Sequence, residues 1–116
     1  MKHLFDMQQR FHEKIYGEIE QLSSVEKEAI TKTLLLAMHQ KASALAETIH
    51  YKDHHDWSSE PDVNNLAYES VDVIRYAIAI MNTWGIESDR FLEAYSEKDA
   101  YLSLDHKLNQ KKWEGQ

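Results

Sequence analysis

The chain has no cysteine in its 116 residues, which excludes disulphides, thiolate nucleophiles and zinc–thiolate centres. That absence fits a reducing compartment, and a cytoplasmic location is the expectation. Glycine and proline are scarce, three and one respectively, so turns and bulges have few sites to form and a mostly helical chain is predicted. Long apolar runs are missing too. The stretch from Tyr76 to Met81 falls far short of the roughly 20 residues that cross a bilayer, and the start, Met1-Lys2-His3-Leu4-Phe5-Asp6, lacks the apolar segment of a signal peptide. No membrane partner is expected. Positive charge is in deficit: 13 Lys and Arg against 20 Asp and Glu leave a net charge of −7. Nucleic-acid binding needs a basic face, so no nucleic-acid partner is expected either. There is no glycine-rich phosphate loop, no Ser-His-Asp order and no pair of glycosidase acids.

What is present is helical periodicity. Residues 1–116 read as one all-α domain of four helices, with polar residues 111–116 fraying at the end. In the first helix, Leu4, Met7, Phe11, Ile15, Ile19 and Leu22 recur at steps of three and four, predicting one buried stripe. Ser23 and Glu26 form a Ser-x-x-Glu capping box that restarts the chain. The second helix then runs to about Tyr51, with Ile30, Leu34, Ala37, Met38, Leu45 and Ile49 on its inner stripe. A polar loop follows, from Lys52 to Pro61. Ser59, Pro61 and Asp62 signal the start of a third helix, which Gly85 stops. Ser88 caps the fourth, whose apolar positions include Phe91, Leu92, Tyr95, Tyr101 and Leu108. The third helix is apolar nearly all round, from Val71 through Ile74, Ile78 and Ile80 to Met81, and such a helix is buried on more than one side. One bundle of this size does not easily bury both Ile78 and Ile80. A homo-oligomer through the third helix is the expectation.

The chemistry-bearing motif is Glu69-Ser70-Val71-Asp72. Residues three apart share a helix face, so both carboxylates can point into the bundle. Two acids alone hold Mg²⁺ poorly, since it takes an octahedral shell of oxygens. The simplest other reading of the pair is a solvated helix start favoured by the macrodipole. His50 and His54 stand one turn apart, a spacing that can chelate zinc, but a polar loop is where histidines ordinarily sit. Tyr51, His55 and Trp57 read either as a lid that stacks on a nucleobase or as aromatic pins holding the loop to the bundle.

Glu69-Ser70-Val71-Asp72-Val73-Ile74-Arg75-Tyr76, Trp84-Gly85-Ile86 and Phe91-Leu92-Glu93-Ala94-Tyr95, in this order after a helix and an aromatic-Lys loop, resemble the all-α nucleoside triphosphate pyrophosphohydrolases. This is the MazG-like and dimeric dUTPase superfamily, and the resemblance spans about 34–104. It implies a four-helix bundle-type domain, oligomeric, with a pocket for a nucleotide or nucleotide-derived ligand between the second, third and fourth helices. It also implies a Glu-x-x-Glu pair facing Glu-x-x-Asp, whose four carboxylates hold Mg²⁺ for cleavage of a nucleoside triphosphate to monophosphate and pyrophosphate. Matching the aromatic-Lys segment at Ile49-His50-Tyr51-Lys52 places the first pair at Lys41 and Ala44, where neither residue is an acid. A lysine about 5 Å from a dication is repelled by roughly 6–7 kcal/mol at an effective dielectric near 20. Lys41 can instead take the cation's place and pair with Glu69 or Asp72. Glu47, one turn beyond Ala44, completes a Mg²⁺ site with Glu69 and Asp72 only if the helix register shifts by a turn. Ala79 stands where the resemblance implies an Asn, and Asp99-Ala100-Tyr101-Leu102 where it implies an Asn-rich run. The ligand-binding candidates that remain are Lys41, Tyr51, Lys52, Trp57, Arg75, Tyr95 and Lys98. Three functions follow: a catalytically impaired nucleotide binder, a working Mg²⁺-dependent pyrophosphohydrolase, or a non-catalytic helical adaptor for another protein.

Overall fold

A computed structural model describes residues 1–49 and 62–114, with side chains through Gln110. Among the described residues every regular element is helical: α1 (Lys2–Tyr16), a 3₁₀ turn (Ile19–Gln21), α2 (Ser24–Ala46), α3 (Val63–Thr83) and α4 (Ser88–Glu114). The chain is all-α, as its periodicity and its scarcity of glycine predict.

Local chemistry sets the helix ends. Gly17, at φ 82°, turns the chain out of α1 and donates its N–H to Glu13 O at 2.9 Å. The first helix therefore stops before Ile19, and Ile19 and Leu22 do not extend its stripe. The capping box forms as its spacing predicts: Ser23 Oγ accepts from Glu26 N at 3.2 Å, and Glu26 Oε1 accepts from Ser23 N at 3.1 Å. Hydrogen bonding to the carboxylate from the Ser23 backbone N–H, and then from the Ser23 side chain, holds the Glu26 carboxyl below its ordinary range. α2 ends at Ala46, short of the Tyr51 expected from periodicity. Its last turn tightens to i→i−3 bonds, Glu47 N to Ala44 O and Thr48 N to Leu45 O at 3.1 Å each. The Thr48 hydroxyl takes the same Leu45 carbonyl at 2.7 Å, a side-chain competitor of helical bonding.

Asp62 caps α3 by accepting from Asn65 N at 3.1 Å. Ser59 and Pro61 lie outside the described residues. α3 closes on Gly85, φ 72°, with Ile86 N bonded back to Met81 O at 2.9 Å. This six-to-one closure is that of a Schellman stop, as the position of Gly85 predicts.

α2 and α3 form the main antiparallel pair, with α1 on the far flank of α3. Ile30, Leu34 and Ala79 make the buried centre, backed by Tyr16, Leu22, Tyr76 and Ile80. α4 meets the rest of the chain at its base, where Ser88 is buried and the Phe91 ring lies 5.8 Å from that of Phe5. From Tyr95 to Gln110 every residue of α4 is exposed.

α1 is rotated relative to the expectation. Its buried residues are Phe5, Gln8 and His12, while Leu4, Met7, Phe11 and Ile15, the stripe predicted to be core, face outward. Hydrogen bonds to α3 fix that rotation: Arg75 Nε donates to Gln8 Oε1 at 2.7 Å, Asn82 Nδ2 to Phe5 O at 3.0 Å, and Thr83 Oγ1 stands 3.2 Å from His12 Nε2. Leaving such groups unpaired in the interior costs about 1–3 kcal/mol each. Ile78 is buried within the single chain and Ile80 half-buried against the core, so neither needs a second subunit. Val63, Tyr68, Val71 and Ile74 are the large hydrophobic residues of α3 left exposed.

Candidate functional site: the α2–α3 seam and its lysine

The seam between α2 and α3 holds the residues singled out by the Glu-x-x-Asp motif. Three features fix its register: Leu34 and Ala79 share the core cluster, Trp84 Nε1 donates to Thr31 Oγ1 at 2.8 Å, and Lys41 meets Asp72. The helices are antiparallel, so each step along α2 is a step back along α3. Ala44, three residues after Lys41, therefore comes opposite Glu69, three residues before Asp72. This is the pairing of positions that the resemblance implies.

Lys41 Nζ lies 3.5 Å from Asp72 Oδ2, with the two side chains 43% and 34% exposed. At that exposure the pair is worth little more than a surface ion pair, of order 0–1 kcal/mol. Its weight is chemical rather than energetic. The ammonium engages a carboxylate that a bound cation would need. Glu69 is half-buried, and Ala44, which comes opposite it by register, is exposed and brings no oxygen. Glu47 stands as the C-terminal cap of α2. No three His, Asp or Glu side chains come together as a cation site among the described residues, so Glu47 is not gathered to Glu69 and Asp72. Two carboxylates, one of them paired with lysine, do not fit the oxygen shell that Mg²⁺ requires.

The other candidates are dispersed. Arg75 lies on the α1 flank of α3: it bonds Gln8, and its guanidinium sits 4.7 Å from the Phe11 ring centroid. Tyr95 and Lys98 are on the exposed part of α4, and Tyr95 touches Phe91 edge-on at 6.1 Å between centroids. The main packing partner of α4 is α1. Tyr51, Lys52 and Trp57 lie outside the described residues, as do His50, His54 and His55. Ala79, in the position where the resemblance implies an Asn, is 1% exposed at the core centre, a place with no room for an unpaired amide.

A second feature was not found by sequence reasoning. Leu4, Met7 and Phe11 of α1 and Val71 and Ile74 of α3 line an open groove of about 580 Å³ floored by Ile78. Arg10, Lys14 and Arg75 stand at its rim. The signal was available: α1 carries apolar residues on one face and Gln8 and His12 on the next, and both faces cannot be buried by α3 alone.

Compared with family models, with curated proteins and with solved structures, the chain finds no match in any of the three.

Proposed function

We propose that the protein is a MazG-like helical protein without hydrolase activity, working as a homo-oligomer, that binds or sequesters a nucleotide or nucleotide-derived ligand without Mg²⁺. The observation that carries this reading is the Lys41–Asp72 ion pair at 3.5 Å. Where the resemblance implies a dication held by four carboxylates, this chain has two carboxylates and its own cation. An ammonium can meet a phosphate directly, and an acidic protein needs such a local reversal of sign to hold an anion.

The test pairs thermal shifts with a chromatographic assay on a panel of nucleoside mono-, di- and triphosphates, with and without Mg²⁺ or Mn²⁺. The expected result is stabilisation by at least one nucleotide in the absence of metal and no release of pyrophosphate. Lys41→Glu is expected to weaken that binding by about 1–3 kcal/mol, the value of a charge-assisted hydrogen bond. Release of pyrophosphate would return the protein to the hydrolases. No stabilisation by any nucleotide would favour the second reading, a helical adaptor, which the open α1–α3 groove supports.

A further inference from the structure

A cleft distinct from both the seam and the apolar groove lies where the start of α1, the 3₁₀ turn and the α3–α4 turn come together. Its volume is about 420 Å³, within the roughly 300–1,000 Å³ of small-molecule sites. Asn82, on its wall, stands ten positions along α3 from Asp72, about 15 Å. Four acids line it: Asp6 of α1, Glu20 of the 3₁₀ turn, and Glu87 and Asp89 at the base of α4. Lys2 is the one basic residue of the lining, and neither it nor the acids join an ion pair among the described residues. The cleft is therefore negative.

Acids alone do not make a site, and the second observation is a pair of buried polar side chains. Ser88 is 6% exposed and Asn82 7%, and both line the cleft. Ser88, expected to cap α4, is instead its first residue, and its hydroxyl makes no hydrogen bond among the described residues. The Asn82 amide donates to Phe5 O at 3.0 Å, while its own oxygen accepts nothing among the described residues. The buried side-chain atom sealed from solvent without a partner is His12 Nδ1, so the Ser88 hydroxyl and the Asn82 oxygen stay open to a bound group. Carboxylates and an amide oxygen are acceptors, and an ammonium is the complementary group, with three donors and no acceptor. No three His, Asp or Glu side chains converge as a metal site among the described residues. The charge is spread along the cleft, and an elongated cation meets it better than a metal ion does.

We infer that this cleft binds an aliphatic polyamine: its ammonium groups meet the carboxylates, Asn82 Oδ1 and the Ser88 hydroxyl, and its methylenes lie on Ile19 and Ile86, which also line the cleft. The positive end of α4 opposes a cation, but Asp89 stands in that first turn and offsets it.

Isothermal titration of the full-length chain with spermidine and putrescine at fixed ionic strength tests this. Both are expected to bind, spermidine more tightly, and Mg²⁺ at the same ionic strength is not expected to match either. A lysine side chain of another protein carries the same group, so Nα-acetyl-lysine methylamide is titrated as well. With one charge in place of two, it is expected to bind about tenfold more weakly than putrescine. Ser88→Ala is expected to weaken spermidine binding about tenfold, and Asp6→Asn with Glu87→Gln by at least as much. Lys2→Gln, which removes the competing ammonium, is expected to tighten it. Asp99→Asn with Asp105→Asn makes the same change of charge on the exposed part of α4 and is expected to leave binding unchanged. Circular dichroism checks that each variant stays helical, and the exposed acids of the cleft keep the test open if Ser88→Ala does not fold. Absence of polyamine binding at millimolar concentration overturns the inference. Equal weakening by the α4 pair reduces it to diffuse attraction and overturns it too. Equal affinity for Mg²⁺, or for the lysine derivative, likewise overturns the polyamine as the ligand.

Discussion

At the scale of the residue, His12 is the side chain whose environment constrains it most. It is 2% exposed, and its ring lies 4.9 Å from that of Tyr16. The Thr83 hydroxyl donates to Ala79 O at 2.7 Å, so its 3.2 Å contact with His12 Nε2 requires the ring to donate there. The proton therefore sits on Nε2, and Nδ1 is a buried acceptor without a partner among the described residues. Burial pushes the imidazole below its ordinary value, with Glu13 opposing weakly. A group that resists protonation in the folded state binds more protons when unfolded, so stability rises with pH across that interval. The contribution of His12 is fully present above its ordinary value of 6.5 and is lost as pH falls below it. Thermal midpoints at pH 8 and pH 5.5 are expected to show a larger drop for the native chain than for His12→Gln. The comparison isolates His12 from the other six histidines. Equal drops in the two proteins would show that the His12 proton is not coupled to folding.

At the scale of the element, what the sequence announces depends on how local the cause is. The Ser23–Glu26 box and the Gly85 stop are written within a few residues, and both form as their patterns predict. The opposition of Lys41 to the Glu69/Asp72 motif was legible through the resemblance, which left either acid as its partner, and the structure selects Asp72. The rotation of α1 was not. Hydrophobic periodicity turns Leu4, Met7, Phe11 and Ile15 inward, whereas the helix is held by Gln8, His12 and the Phe5 carbonyl, whose partners on α3 lie at least 67 positions away in the chain. Periodicity registers apolar side chains and is blind to polar groups that find partners only after folding. The end of α2 was missed for a similar reason, since the Thr48 hydroxyl takes a carbonyl that the apolar pattern assigns to the helix. The capping box gives the cleanest measurement at this scale. Ser23→Ala removes the acceptor for Glu26 N and is expected to cost about 1 kcal/mol, or about 4–8 °C in thermal midpoint for a domain of this size. Glu26→Ala in the same background should add less than it does alone, because the two bonds form one reciprocal unit. Strict additivity in that double-mutant cycle would mean that the two halves of the box act independently.

At the scale of the whole molecule, the chain is open for a folded domain of its length. Its radius of gyration is 18.7 Å, against about 13 Å for a compact chain of this length. Its accessible surface is 9262 Å², against about 6,600 Å² for a folded monomer of this mass. The core of the isolated chain points the same way, since only Ile30, Leu34 and Ala79 join in one buried cluster. The seam is paired within the chain through Lys41 and Asp72, whereas the groove between α1 and α3 stays exposed. If folding and association are one event, stability must depend on protein concentration. A hundredfold dilution removes about 2.7 kcal/mol per dimer, which lowers the thermal midpoint by roughly 5 °C for two chains of this length. Scanning calorimetry or circular dichroism melts across that range measure it directly. The same dilution series on a chain carrying Ile74→Glu and Leu104→Glu is expected to show a low midpoint that no longer moves with concentration, because a charge on each exposed apolar surface opposes its burial in an assembly. A native midpoint that stays constant on dilution would show instead that the single chain is a complete folding unit, with its groove and its fourth helix stable in water.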